Sequence, residues 1–293
     1  MELIPHDINI DFVGERRFFL VFSAVINVAA VLLMLTWGLN YGLDFTGGTA
    51  VEIRFQQPTT SGVIRQAVQG QGFEDLTIQD IGHDGRMFLL RFQQLEEGVG
   101  ETGQAVQAAL ASSFGEAFEL LRAESVGSRV SGDLRRKAFW AVAFATLLMG
   151  VYIAVRFAPR FAFGAVIALI HDVLVVIGAL VLTQVPFDLS VLAALLTVVG
   201  FSINDTIIIS DRVRENMRKL RREPLAHIIN QSINETLSRT LITSGTALMV
   251  LIALFLFGGH VIRPFAFTLI VGFISGVYST IYIAAPVVLS FEK

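Results

Sequence analysis

Five polar residues in the apolar part of this chain are candidates for a proton relay. His171 and Asp172 are adjacent in one long hydrophobic run, Asn204 and Asp205 in the next, and Arg239 stands at the head of a third. Ionisable groups inside a membrane are costly and point to function. A carboxylate in low dielectric favours its protonated form, and a neighbouring arginine favours the ionised form. A movement that alternates these surroundings lets the group load and release a proton. On spacing, Asp205, Arg239, Asn204, Asp172 and His171 form a candidate relay. Plainer readings stay open: Asp205 and Arg239 as a static ion pair between helices, and His171 as a hydrogen-bonded packing residue.

The elements that must position these groups are membrane spans. Hydrophobic residues make up 54% of the 293 positions and charged ones 16%, with a mean hydropathy of +0.65, more apolar than a soluble domain usually is. Runs near the length of a membrane span occur at about 18–37, 138–155, 161–183, 191–210, 241–257 and 264–289. The first is too long for a signal-peptide core and reads as a retained anchor. Basic residues fill the loop at 211–240 and flank the first, second and third spans, while the opposite loops at 184–190 and 258–263 hold only Arg263. The positive-inside rule then places both termini in the cytoplasm. Arg135, Arg136 and Lys137 disagree, since they abut span two on the outer side; a basic run at a helix end can snorkel to headgroups. The loop at 211–240 reads as one or two surface helices with Ile228, Ile229 and Ile233 as their apolar stripe. Gly272 with Gly276, and Gly164 with Ala168, are pairs that let helices approach closely.

Three parts follow: residues 1–38 with the first span, an insertion at 39–133 outside the membrane, and residues 134–293 with the other five spans. The insertion reads as β-α-β-β-α-β, a ferredoxin-like α+β arrangement in which two helices cover a small sheet. "AVEIRF" alternates as a half-buried strand, and "TTSGVIRQAVQGQGF" has Val63, Ala67 and Val68 on one helical face. "LTIQDIGHDGRMFLLRF" is two strands joined by an Asp84-Gly85 turn. A second helix ends near Gly115. At its entrance stands "YGLDFTGGTAVEIRF". Gly47 and Gly48 permit a sharp turn into the first strand, and Asp44, Thr46 and Thr49 can bond the freed backbone groups. Asp44, Gly47 and Gly48 are the candidate hinge, with a rigid turn as the alternative.

Absences narrow the chemistry. There is no cysteine, hence no disulfide and no thiolate metal site. No phosphate-binding G-x-x-x-x-G-K-[ST], no H-E-x-x-H and no G-x-S-x-G occurs, so no enzyme of those kinds is expected. Neither is a metal or a cofactor; if energy is used, the proton gradient is its expected source. The formal net charge of -3 gives no reason to expect nucleic acid.

Four motifs carry a family resemblance: "LDFTGGT" at 43–49, "HDV" at 171–173, "GFSINDTIIISDRVREN" at 200–216 and "ETLSRTLITS" at 235–244. With the opening "LIPHDINIDFVGERR", they make the chain resemble the SecF branch of the bacterial SecD/SecF protein-export family over almost its whole length. The resemblance implies a polytopic membrane protein of six spans (1+5) with a periplasmic domain after the first, one half of an assembly similar to resistance-nodulation-division exporters. It implies use of the proton-motive force to promote preprotein translocation through the SecYEG channel. It implies SecD, SecYEG, a translocating preprotein, YajC and the lipid bilayer as partners. By resemblance Asp205 is the carboxylate linked to proton flow and Arg239 its partner, with Asn204 in the same motif. The residues by themselves leave two alternatives: a stand-alone proton-coupled exporter of small hydrophobic molecules, and a passive translocon scaffold.

Overall fold

A computed structural model of the chain describes residues 9–68, 76–82, 84–92, 99–115, 117–157 and 159–291. They form two compact units, one of residues up to Asn40 together with Phe139 onward, the other of Tyr41–Ala138.

The first unit is helical. Its spans are α1 (Arg16–Thr36), α5 (Ser128–Arg156), α6 (Pro159–Thr183), α7 (Leu189–Lys219), α8 (Leu225–Phe257) and α9 (Gly259–Ser279). The last continues through a π-helical turn, Thr280–Ala284, into α10 (Ala285–Leu289). These are six helices long and apolar enough to cross a membrane among the described residues, and the chain is a multi-pass membrane protein. Within their most apolar windows α6, α7 and the α9–α10 span are 50%, 56% and 61% buried, against 11% for α1 and 17% for both α5 and α8. The three well-buried helices are therefore the centre of the unit, and the candidate residues of α6 and α7 lie there.

Two boundaries differ from the sequence reading. The 211–240 segment is helical as expected, but its helices are continuations of the spans: α7 and α8 run on at about 1.5 Å per residue to lengths of about 45–50 Å, beyond a ~30 Å hydrocarbon core. Only residues 220–224 leave the helix, where Pro224 precedes α8. Polar side chains support the extensions. Arg212 Nε donates to Glu235 at 2.5 Å, Asn216 Nδ2 donates to the Ser232 hydroxyl at 3.0 Å, and Lys219 reaches Glu215 one turn away at 2.6 Å. The expected apolar stripe does exist, since Ile228, Ile229 and Ile233 are buried in the core of this end. The π turn is the second difference; a shift from i,i+4 to i,i+5 bonding leaves no simple periodic signal.

An irregular segment before α1 is tied to α8. Asn230 Oδ1 accepts from the Phe12 amide at 2.9 Å, Asn234 Oδ1 accepts from the Ile10 amide at 2.9 Å, and both amide side chains donate to the Ile10 carbonyl. The segment lacks regular secondary structure, so these bonds satisfy backbone groups that would otherwise be orphaned as Phe12 and Val13 enter the core.

The second unit has α2 (Leu43–Thr46), β1 (Gly48–Phe55), α3 (Ser61–Val68), β2 (Thr77–Asp80), β3 (Met87–Phe92), α4 (Val99–Phe114) and β4 (Phe118–Val126). The sheet runs β2-β3-β1-β4 with every pair antiparallel, the ferredoxin-like order. Alternation sets its core: Val51, Ile53 and Phe55 of β1 and Phe88, Leu90 and Phe92 of β3 face Ile64 and Val68 of α3 and Leu110 of α4. Of the expected face of α3, Val68 is buried and Ala67 packs against the core, whereas Val63 is exposed and Ile64 takes its place. Asp84 and Gly85 lie within a longer connection than a two-residue hairpin: the Ile81 amide donates to the Met87 carbonyl at 3.0 Å. Gly115 ends α4 in the left-handed region at φ 59°.

The central contact of the helical unit is α9 on α7. A Cβ at Gly272 would lie 2.1 Å from Val198 Cγ2, and one at Gly276 would lie 3.3 Å from the Ser202 Cα. A Cβ at Gly164 would likewise lie 2.6 Å from the Ala284 carbonyl oxygen. Gly200 meets nothing within 4 Å. Gly272→Val is thus expected to destabilise by about 1–3 kcal/mol, read as a lower detergent-solubilised Tm, while Gly200→Ala leaves it unchanged. Equal Tm values for the two variants would contradict this packing.

Candidate functional site: two buried carboxylates

Asp172 projects from the middle of α6 and is fully buried. Three hydroxyls donate to it: Ser202 of α7 to Oδ2 at 2.6 Å, Ser275 of α9 to Oδ1 at 2.6 Å and Ser279 of α9 to Oδ2 at 2.7 Å. One side chain thus joins the three central helices. Each donor sits on a face of small residues: Ser275 and Ser279 flank Gly276, and Ser202 is the residue against which Gly276 packs. Close approach and short hydroxyls therefore go together, because longer side chains would hold α9 off. Further along α7, the hydroxyls of Thr206 and Thr280 are 3.1 Å apart, which brings the start of the π turn into the same polar track.

Asp205 is different. It is 1% exposed, yet neither carboxylate oxygen has a hydrogen-bond partner. The Ser244 hydroxyl of α8 is close enough to act on it but lies outside hydrogen-bonding geometry, and Arg239 attracts it electrostatically without a contact. Thr240 and Ser244, also buried on α8, have hydroxyls with no partner either. Burying an ionised carboxylate without partners costs several kcal/mol. The pocket between α7 and α8 is therefore incomplete: a carboxylate and two hydroxyls that could satisfy one another are held apart.

The five relay candidates do not form one cluster. Asp172 and Asp205 occupy separate polar pockets, the first between α6, α7 and α9, the second between α7 and α8. His171 is buried with Nδ1 unpartnered, its ring 5.8 Å from that of Tyr278. The Tyr278 hydroxyl donates to the Phe19 carbonyl at 3.0 Å and bonds Ser23 at 2.7 Å, both on α1. Asn204 is exposed, although it adjoins the buried Asp205 in the chain. Arg239 is exposed too and lines a polar cleft with Arg156, Arg212 and Glu235. The static ion pair is not present, since Asp205 and Arg239 make no salt bridge among the described residues.

Sequence reasoning missed Ser202, Ser275 and Ser279 around Asp172, and Thr240 and Ser244 beside Asp205. The available signal was hydroxyl residues recurring every four positions within apolar spans, as in Thr236, Thr240 and Ser244, or Ser275 and Ser279. Among the described residues no group of three or more His, Asp or Glu could hold a metal ion.

In the other unit the glycine pair has the geometry that its composition suggests. α2 is one turn of helix, and Gly47 and Gly48 follow with φ 75° and 106°, the left-handed region that disfavours a Cβ. Thr46 caps the turn by donating to the Gly42 carbonyl at 3.2 Å. Thr49 departs from expectation, since its hydroxyl donates to the Ser125 hydroxyl at 3.0 Å and not to freed backbone. Arg135, the outlier of the charge pattern, has a local partner: Nη2 donates to the Phe45 carbonyl at 2.7 Å and the guanidinium lies over the Tyr41 ring.

Six candidate spans interrupted after the first by a ferredoxin-like unit, with carboxylates buried in the third and fourth, define a class of polytopic membrane protein. The family model for protein export membrane protein SecD/SecF, C-terminal, matches residues 105–293, and the SecD/SecF GG motif matches residues 33–59. The chain belongs to the SecD/SecF family. Within it the resemblance is to SecF subunits. The chain is 40% identical to the protein translocase subunit SecF of Calditerrivibrio nitroreducens, over 98% of this chain and 96% of that one. It is 41% identical to the same subunit of Vibrio alginolyticus, over 98% and 91%. It also superposes on the crystal structure of SecDF, a translocon-associated membrane protein from Thermus thermophilus, with a TM-score of 0.88 and 35% identity. That match covers 99% of this chain and 39% of the SecDF chain, so the SecDF chain is much the longer. A second SecDF structure, in a super-membrane-facing form, gives a TM-score of 0.71 at 34% identity.

The Asp172 geometry has a direct test. Ser275→Ala with Ser279→Ala leaves Asp172 one donor, and an unsatisfied buried acceptor costs about 1–3 kcal/mol. The pair is expected to lower Tm by several degrees, and Asp172→Asn in the same background to add less than it does alone. Full additivity, or no change in Tm, would show that the hydroxyls do not hold the carboxylate.

Proposed function

We propose that the chain is the SecF half of a SecD–SecF pair that uses the proton-motive force to promote preprotein translocation through the SecYEG channel. Asp205 takes up and releases the proton, and Arg239 biases it toward release. The observation that carries this reading is the Asp205 pocket: a carboxylate inside a membrane span with neither oxygen bonded, an arginine near enough to act on it, and two idle hydroxyls beside it. Such a site is completed by a proton in one conformation and by the arginine or the hydroxyls in another. One elementary charge crossing 100 mV releases about 2.3 kcal/mol, comparable with the few kilocalories that separate two conformations of one helix pair.

Asp172 is the fixed partner of this arrangement, since three hydroxyls satisfy it. His171 and Asn204 stand outside the exchange step, His171 against Tyr278 and Asn204 on an exposed face where a second half packs. SecD is the proposed second half, supported by the SecDF chain that continues far beyond the region matched here. The proposed setting is the inner membrane with both termini in the cytoplasm and residues 39–133 as the periplasmic domain. SecYEG, the preprotein and YajC complete the proposed partners. Asp44, Gly47 and Gly48 form the joint that passes helix movement to that domain, a reading supported by the left-handed backbone of the two glycines.

The test is preprotein translocation in cells carrying SecD, with variants at equal expression. Asp205→Asn is expected to stall late export while the complex still assembles, and Gly47→Ala with Gly48→Ala to slow it. Normal export by Asp205→Asn would make the carboxylate structural and the chain a scaffold; normal export by the glycine pair would remove the joint alone.

A further inference from the structure

The arginines that set the expected topology do more than mark a side of the membrane. Arg156 at the end of α5, Arg212, Arg214 and Arg218 on α7 and Arg239 on α8 line one open cleft of about 740 Å³. Two of them are neutralised: Arg156 lies 3.6 Å from Asp211, and Arg212 is held by Glu215 at 2.7 Å and Glu235 at 2.5 Å. Arg214, Arg218 and Arg239 have no ion pair among the described residues. Asp211, Glu215 and Glu235 line the same cleft, which therefore holds five guanidinium groups against three carboxylates and is left with an excess of positive charge.

The level of the cleft is fixed by length. α7 starts at Leu189, and about 20 residues at 1.5 Å each cross a ~30 Å hydrocarbon core, so Asp211–Arg218 emerge in the headgroup layer. The surfaces leading to the cleft from the core are apolar and exposed: Val151, Tyr152 and Val155 on α5, and Leu241 and Ile242 on α8. A small soluble anion has no use for those flanks. A ligand with a phosphate at one end and hydrocarbon at the other fits both, because the guanidinium fork matches phosphate oxygens and basic pockets between spans hold anionic headgroups.

We infer that this cleft is a binding site for the phosphate headgroup of an anionic phospholipid, whose acyl chains lie along the exposed faces of α5 and α8. The site shares only Arg239 with the proposed proton step.

The experiment is native mass spectrometry of the full chain with its SecD partner, titrated with phosphatidylglycerol and with phosphatidylcholine of the same chains. The parent is expected to prefer phosphatidylglycerol. Arg214→Gln with Arg218→Gln is expected to weaken that binding about thirtyfold, the value of two charges at a lipid surface. Arg221→Gln with Arg222→Gln removes the same charge outside the cleft and keeps the preference, as does Asp205→Asn, which separates this inference from the proton reading. An unchanged affinity in the Arg214/Arg218 variant, with Tm at the parent value, overturns the site. Equal binding of the two lipids by the parent overturns it as well. Displacement of phosphatidylglycerol by millimolar inorganic phosphate shows a free-anion site, and a preference lost only when SecD is bound shows a partner surface; each refutes a lipid as the occupant.

Discussion

The approach of α9 to α7 is the constraint on which the helical unit depends. Gly272 and Gly276 remove the side chains that would keep the two backbones apart, and Val198 and Ser202 fill the space they leave. Without an apolar driving force between helices in lipid, such packing and the hydrogen bonds across it are what hold spans together. Ser202, Ser275 and Ser279 can reach Asp172 only because the helices are this close, and Asp172 in turn fastens α6 to both. Phe201 stacked on Phe273 at 3.6 Å extends the same interface.

That rigid centre gives the second carboxylate its meaning. Asp172 and Asp205 both lie deep in the unit, one with every near hydroxyl turned toward it and one with none bonded. The difference is in the neighbouring helix. α9 is pinned to α7, whereas α8 has little of its apolar span buried and is held most firmly at its far end, through Glu235, Ser232 and the asparagines that bind the N-terminal segment. Along its span α8 packs on α9 as well as α7, with Thr236, Leu237, Thr240, Ser244 and Leu251 buried.

Much of this was legible in the sequence. The six spans follow from hydropathy because a bilayer leaves the backbone little choice, and the ferredoxin-like order follows from period-2 strands alternating with two helical runs. The close glycine contacts at 272 and 276 were legible from their spacing. What was not legible has physical causes. The 211–240 segment is polar, so no hydropathy window reveals that α7 and α8 continue through it, stabilised by pairs such as Arg212 with Glu235. The π turn at Thr280–Ala284 breaks no composition rule. Most of all, Asp172 and Asp205 look alike in sequence, each beside another polar residue in an apolar run. Their opposite surroundings depend on serines and threonines from other spans, which only the fold brings near.

The most direct measurement is infrared spectroscopy of carboxyl groups in the membrane-embedded chain, with Asp205→Asn and Asp172→Asn compared against the parent across pH. The account expects one carboxyl band to appear and vanish with pH in the parent and in Asp172→Asn, and to be missing in Asp205→Asn. A pH-dependent band that survives Asp205→Asn and is lost in Asp172→Asn would assign the exchange to the wrong carboxylate and contradict it.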